Sequence, residues 1–137
     1  MKYQQMYSPE RFELRDCYWE FHSVRDGEMT VRVDDVHIRS GEDQGEIIDT
    51  AVVTFRGFHR TWTERFENTE GIRISLEEAG VLLKDGPYLV FSYWCDGHEC
   101  ELSGLGGEVF AMLFSFDFAE ITWDSFKQGP VGTLIRI

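Results

Sequence analysis

Apolar and polar residues alternate along much of this chain with a period of two. Phe110, Met112, Phe114, Phe116 and Phe118 occupy every second position. Side chains two apart on a strand share a face, so this stretch predicts a strand that turns five bulky residues toward a core. Ile121 and Trp123 continue with the opposite parity. A turn or bulge near Phe118-Ala119-Glu120 accounts for the switch, because a one-residue slip exchanges the two faces. Earlier in the chain, Met29, Val31 and Val33 alternate with Thr30, Arg32 and Asp34. Asp26-Gly27 just before them is a hairpin signal, and Trp19, Phe21 and Val24 on its other side supply apolar partners. Phe12-Glu13-Leu14-Arg15 opens the same strand or an earlier one. Ile47 to Phe58 reads as a further strand, with Val53 and Phe55 on one face and Val52, Thr54 and Arg56 on the other; Gly57 marks a bulge or the strand's end.

The remaining segments fill in a meander. Ser40-Gly41-Glu42-Asp43-Gln44-Gly45 is a polar loop. Arg60 to Gly71 permits a strand through Trp62 and Phe66 but is dense in charge. Ser75 followed three residues later by Glu78 has the spacing of a capping box, and Gly80 and Gly86 confine the resulting helix to a turn or two. Tyr88 to Tyr93 is an apolar, aromatic strand, Asp96-Gly97 a second hairpin turn, His98 to Leu102 the return strand, and Ser103-Gly104-Leu105-Gly106-Gly107 a loop. Seven or eight short strands joined by tight turns predict a mainly β fold. It is an antiparallel meander closed as a barrel or folded as a sandwich to protect its edges, with one short helix. The length of 137 residues suits one β-rich domain over 1–137.

Charge narrows the function classes. Asp and Glu number 25 against 13 Lys and Arg, a formal net charge of −12. A field of that sign repels phosphate backbones and anionic lipid surfaces, so neither nucleic acid nor membrane is an expected partner. It suits solubility, and it also suits steering toward a positively charged protein. No apolar run reaches the ~18 residues that cross a bilayer, and Met1-Lys2-Tyr3-Gln4-Gln5 lacks the apolar stretch of a secretory signal; the expected location is the cytoplasm. Cys17, Cys95 and Cys100 are an odd number, which argues for reduced thiols over a disulfide framework.

Candidate chemistry centres on Cys95-Asp96-Gly97-His98-Glu99-Cys100. A two-residue turn at Asp96-Gly97 sets Cys95 opposite His98 and Tyr93 opposite Cys100, with Phe91 and Leu102 on the same face. Cys95 and His98 would then be half of a zinc site, but no second Cys/His pair completes the four ligands of a structural site, so no metal or other cofactor is expected. In that register Cys95 and Cys100 are diagonal, about 7 Å apart, too far for a disulfide. Trp94 points to the opposite face, beside Glu99 and Ser92. Carboxylates abound, as in Asp34-Asp35, Glu42-Asp43 and Glu77-Glu78, without the fixed pairing that glycoside hydrolysis needs. There is no Gly-x-Ser-x-Gly elbow, and the glycine-rich loop at 103–107 lacks a Walker lysine. No catalytic residue is expected.

Phe12-Glu13-Leu14-Arg15-Asp16-Cys17, the Asp26-Gly27 hairpin, Ala51-Val52-Val53-Thr54-Phe55-Arg56-Gly57 and Ala119-Glu120-Ile121-Thr122-Trp123-Asp124 together resemble a loose group of small acidic bacterial proteins of unknown function. Some of that group resemble immunity proteins of polymorphic toxin systems. Many of them carry a His-Asp pair where this chain has Arg15-Asp16. The resemblance implies a protein that binds and neutralises a basic partner, and carries over no functional residue. The expected working surface is Asp34, Asp35, Glu42, Asp43, Glu99 and Glu101, with Trp94 as an apolar anchor. Two alternatives stay open: a β-barrel that holds a small ligand in its mouth beside Phe91, Tyr93 and His98, and a structural module that self-associates into a homo-oligomer through a strand edge.

Overall fold

The computed structural model describes residues 2–127. Ten strands form one antiparallel sheet: β1 Tyr3–Met6, β2 Phe12–Glu13, β3 Cys17–Arg25, β4 Gly27–Ile38, β5 Ile47–Glu67, β6 Glu70–Ile74, β7 Tyr88–Cys95, β8 Glu99–Leu105, β9 Val109–Ser115 and β10 Phe118–Trp123, with one helix, α1 Leu76–Lys84, between β6 and β7. The mainly β, antiparallel expectation with a single short helix therefore holds. The strand count exceeds seven or eight because the short β1 and β6 are too brief to carry a visible alternation; the charged stretch after Arg60 is strand as well, but as a continuation of β5.

β5 organises the architecture. Its first part pairs with β4 on one edge and β10 on the other, and its second part pairs with β6 and β9. The remaining ladders, β9–β8, β8–β7, β7–β3 and β3–β4, return to β5. The circuit β5–β9–β8–β7–β3–β4 thus closes, with β7–β3 as its shortest seam, Cys17–Trp19 against Tyr88–Val90. Closure pairs the strands of the circuit with one another, and the short β1, β2 and β6 each pair on one side only among the described residues. The interior of the circuit is filled by rings that meet across it: Phe110 of β9 touches Phe21 of β3 at 5.9 Å and Tyr88 of β7 at 4.8 Å, and Phe55 meets Phe114 at 5.2 Å. Trp19, Phe55, Phe110, Phe114 and Trp123 are all wholly buried.

Gly57 is a bulge within β5, not its end. It has φ 72°, open to glycine at little cost, and lets Phe55 and Phe58 both face inward. The facing strand breaks at the same level, between Ser115 and Phe118. Phe110, Met112, Phe114 and Phe116 therefore point in as expected, whereas Phe118 lies beyond the parity switch and is 43% exposed. Ile121 and Trp123 are buried on the new parity. A second slip, between Val90 and Ser92, turns Phe91 outward, against its expected place beside Tyr93 on the inner face.

Helix α1 begins at the anticipated capping box. Glu78 N–H donates to the Ser75 hydroxyl at 3.1 Å, and the Glu78 carboxylate accepts from the Ser75 amide at 3.3 Å. The helix continues through Gly80 for nine residues. A mid-helix glycine costs about 1 kcal/mol; burial of Ala79 and Leu83 against the sheet outweighs it.

Candidate functional site

A concavity lies between α1 and the β8–β9 turn. It encloses about 620 Å³ and is lined by Arg65, Ile74, Glu77, Glu78, Val81, Leu82, Asp85, Tyr88, Gly107 and Glu108. The helix supplies one wall: Glu77 and Val81 are one turn apart and so share a face, and Asp85 closes its C-terminus. The turn after Leu105 supplies the other wall through Glu108. Tyr88 forms the floor, its hydroxyl donating to the Leu82 carbonyl at 2.6 Å. Val81, 69% exposed, leaves an apolar surface open at the mouth.

The electrostatics of this cleft are one-sided. Glu77, Asp85 and Glu108 form no ion pair among the described residues, while Arg65, the one cation in the lining, is engaged with Glu67 at 2.6 Å. Glu78 is occupied by the cap. Burial first, then the nearby Glu108 and Asp85 carboxylates, push the Tyr88 hydroxyl above its ordinary range, since both desolvation and negative neighbours disfavour the phenolate. Next to the cleft, Leu105 is 49% exposed and faces Leu89, which in turn faces the 56% exposed Tyr18. An apolar row thus borders the acidic cleft.

The residues anticipated from sequence fall into two other groups. Trp94 and Glu101 are direct cross-strand neighbours on the outer face, with Trp94 53% exposed and Glu99 at the start of the return strand. Asp34 and Asp35 lie on β4, where Asp34 accepts from Thr50 at 3.1 Å and Asp35, at φ 60°, takes an ion pair from Lys127 at 2.9 Å. Glu42 and Asp43 sit in the loop between β4 and β5. No ladder or hydrogen bond joins Asp34 and Asp35 to Trp94 among the described residues. The cleft residues do not form a set along the chain, because they come from β5, β6, α1, β7 and the β8–β9 turn. Only the Glu77-Glu78 pair stands out in the sequence.

The Cys95–Cys100 hairpin departs from its predicted register. Cys95 faces Cys100, Trp94 faces Glu101 and Tyr93 faces Leu102. The turn is centred one residue later than expected. Asp96 is its first corner, and its carboxylate accepts from the His98 and Glu99 amides at 2.8 and 2.7 Å, an Asx arrangement; Gly97, at φ 100°, takes the first central position, where a left-handed residue is needed. His98 therefore does not oppose Cys95, and no group of three or more His, Cys, Asp or Glu fit to hold a metal occurs among the described residues. Behind the thiols, the Tyr93 hydroxyl lies 3.5 Å from Cys100 Sγ and 2.7 Å from the Tyr7 hydroxyl. Burial pushes both tyrosines well above their usual range. No family model, no curated protein and no solved structure matches the chain.

Proposed function

We propose that this chain is a non-catalytic binding protein that engages a basic protein partner and neutralises it by occlusion, as a toxin-neutralising immunity protein does. The observation that carries the reading is the cleft between α1 and the β8–β9 turn: an apolar floor rimmed by unpaired carboxylates from Glu77, Asp85 and Glu108. Such a cleft suits the aliphatic stem and cationic head of a lysine or arginine side chain, the stem on Val81, Leu82 and Ile74 and the head among the acids. The net charge of −12 steers a basic partner from a distance. Asp34, Asp35, Glu42, Asp43, Glu99 and Glu101 contribute to that field, and Trp94 offers an aromatic anchor beside Glu101.

The test is affinity capture from the source cell with the wild-type chain, with Glu77→Lys/Glu108→Lys, and with the exposed control Glu70→Lys. A basic protein retained at low salt by wild type and by the control, released at high salt and lost from the double variant, is the expected result. Capture of no basic protein, or equal capture by all three, rejects the reading.

A further inference from the structure

We propose that Cys95 and Cys100 are an oxidisable dithiol, in which a hydroperoxide attacked by Cys95 yields a reversible cross-strand disulfide with Cys100. The geometry rests on the corrected register. The Asp96 amide bonds the Glu99 carbonyl at 3.1 Å, so the adjoining Cys95/Cys100 pair is of the narrow, non-hydrogen-bonded kind, with opposed Cα atoms about 4.5 Å apart. That lies inside the span of about 4.4–6.8 Å that a disulfide bridges. Cys95 and Cys100 also differ in access. Cys100 is fully buried, whereas Cys95 lines a cavity of about 220 Å³ with Glu13, Arg15, Arg39 and Trp94, open enough for a small oxidant. Glu13 and Arg39 pair across that cavity at 2.8 Å.

The electrostatics assign the two roles. The Cys100 thiol, more than any other group, holds Cys95 down; burial opposes it, and the Gly97 amide and Tyr93 hydroxyl add to the lowering, to about 7. Burial first, and then Cys95 itself, hold Cys100 in its protonated form. Cys95 is thus the thiolate and Cys100 the resolving thiol. In the first step, written for hydrogen peroxide, the Cys95 thiolate attacks one peroxide oxygen, the O–O bond breaks, Cys95 becomes a sulfenic acid, and the hydroxide that leaves takes up the proton Cys95 gave up on ionising and becomes water. In the second step Cys100 sulfur displaces the sulfenic hydroxyl, the S–S bond forms, and the Cys100 proton leaves with that hydroxyl as water. Two thiols lose two electrons and one peroxide becomes two waters. Cys17 takes no part: burial, then Glu13 and Asp35, push it up to about 12.

The experiment treats the full chain with equimolar hydrogen peroxide at pH 7, alkylates the remaining thiols, and reads intact mass and a digest cleaved after Glu99. Two hydrogens lost, one alkylatable thiol left at Cys17, and two peptides joined through Cys95 and Cys100 until a reductant separates them are expected. Cys100→Ser, folded by circular dichroism, is expected to stop at a dimedone-trapped sulfenic acid on Cys95, and Cys17→Ala to form the same disulfide as wild type. Wild-type Cys95 is expected to alkylate at least about tenfold faster than Cys17 at pH 7. Three thiols still free in the wild-type chain, a link that uses Cys17, or irreversible oxidation of Cys95 beside an intact Cys100 overturns the proposal.

Discussion

Gly104 and Phe110 are directly opposed on β8 and β9, and the Phe110 ring lies on the bare glycine backbone. A Cβ at position 104 would come within 2.5 Å of Phe110 Cε1 and 3.0 Å of Cζ, closer than atoms can approach. The ring is itself wedged between Phe21 and Tyr88 and cannot swing away freely. Gly104→Ala is therefore expected to cost about 1–3 kcal/mol, the usual range for overpacking. Phe110→Ala removes a wholly buried ring and two edge-to-face contacts, for about 3–5 kcal/mol. The two changes are coupled by shape: with the ring gone, a methyl at 104 meets no clash and fills part of the void. The double variant should be more stable than the sum of the singles predicts, by roughly 0.5–3 kcal/mol. Urea unfolding followed by tryptophan fluorescence gives all four corners of the cycle. Phe118→Ala, on the same alternation but beyond the parity switch, should cost within about 0.5 kcal/mol, as surface changes do. Additivity within about 0.3–0.5 kcal/mol for positions 104 and 110, or a Phe118→Ala loss as large as that of Phe110→Ala, would refute the inward-facing arrangement of β9.

Other outcomes follow from the same structure. Ser75→Ala removes one half of the capping box and should lower stability by about 0.5–2 kcal/mol in the same urea assay, with no loss if α1 is held by packing alone. Raising pH past about 9–10 should destabilise the fold: Tyr7, Tyr93, Cys17 and Cys100 all have raised native pKa values, so the unfolded chain releases protons that the folded one keeps. Tyr7→Phe/Tyr93→Phe should flatten that decline in chemical unfolding at successive pH values, and an unchanged slope would count against the buried tyrosine pair. Cys95 acts with the opposite sign. Its pKa falls from 9.0 to about 7 on folding, so between those values the unfolded chain holds the extra proton and stability rises with pH; Cys95→Ser should remove that rise.

The sequence carried the fold further than the site. Alternation at Met29, Val31 and Val33 and at Phe110 to Phe116 marks the inner faces, because burial on one face of a strand imposes a strict period of two. It fails at Phe91 and Phe118, where bulges shift the phase by one residue and expose rings that look internal. The two Asp-Gly pairs make the same point at turns. Asp26-Gly27 occupies both central positions between Arg25 and Glu28, while the second turn falls one residue later than its Asp-Gly pair suggests, with Gly97-His98 at the centre, because Asp96 stands at the first corner and caps the loop with its own carboxylate. That single step puts Cys95 opposite Cys100 and not His98. The cleft was hidden for a different reason: Arg65, Ile74, Glu77, Asp85 and Glu108 meet only once β5 bends, α1 docks on the sheet and the β8–β9 turn reaches back toward it.

The claim on which the functional account rests is electrostatic docking at that cleft. Its most direct test is the association rate of the captured basic partner, measured by stopped flow at low and high salt for wild type, Glu77→Lys/Glu108→Lys and Glu70→Lys. Steering predicts a wild-type rate that falls tenfold or more with salt, within the range of about 10–10³ seen for charged clefts. It also predicts a double variant that associates slowly at low salt, and a control that behaves as wild type. A rate indifferent to salt, or a double variant that matches wild type, would contradict it.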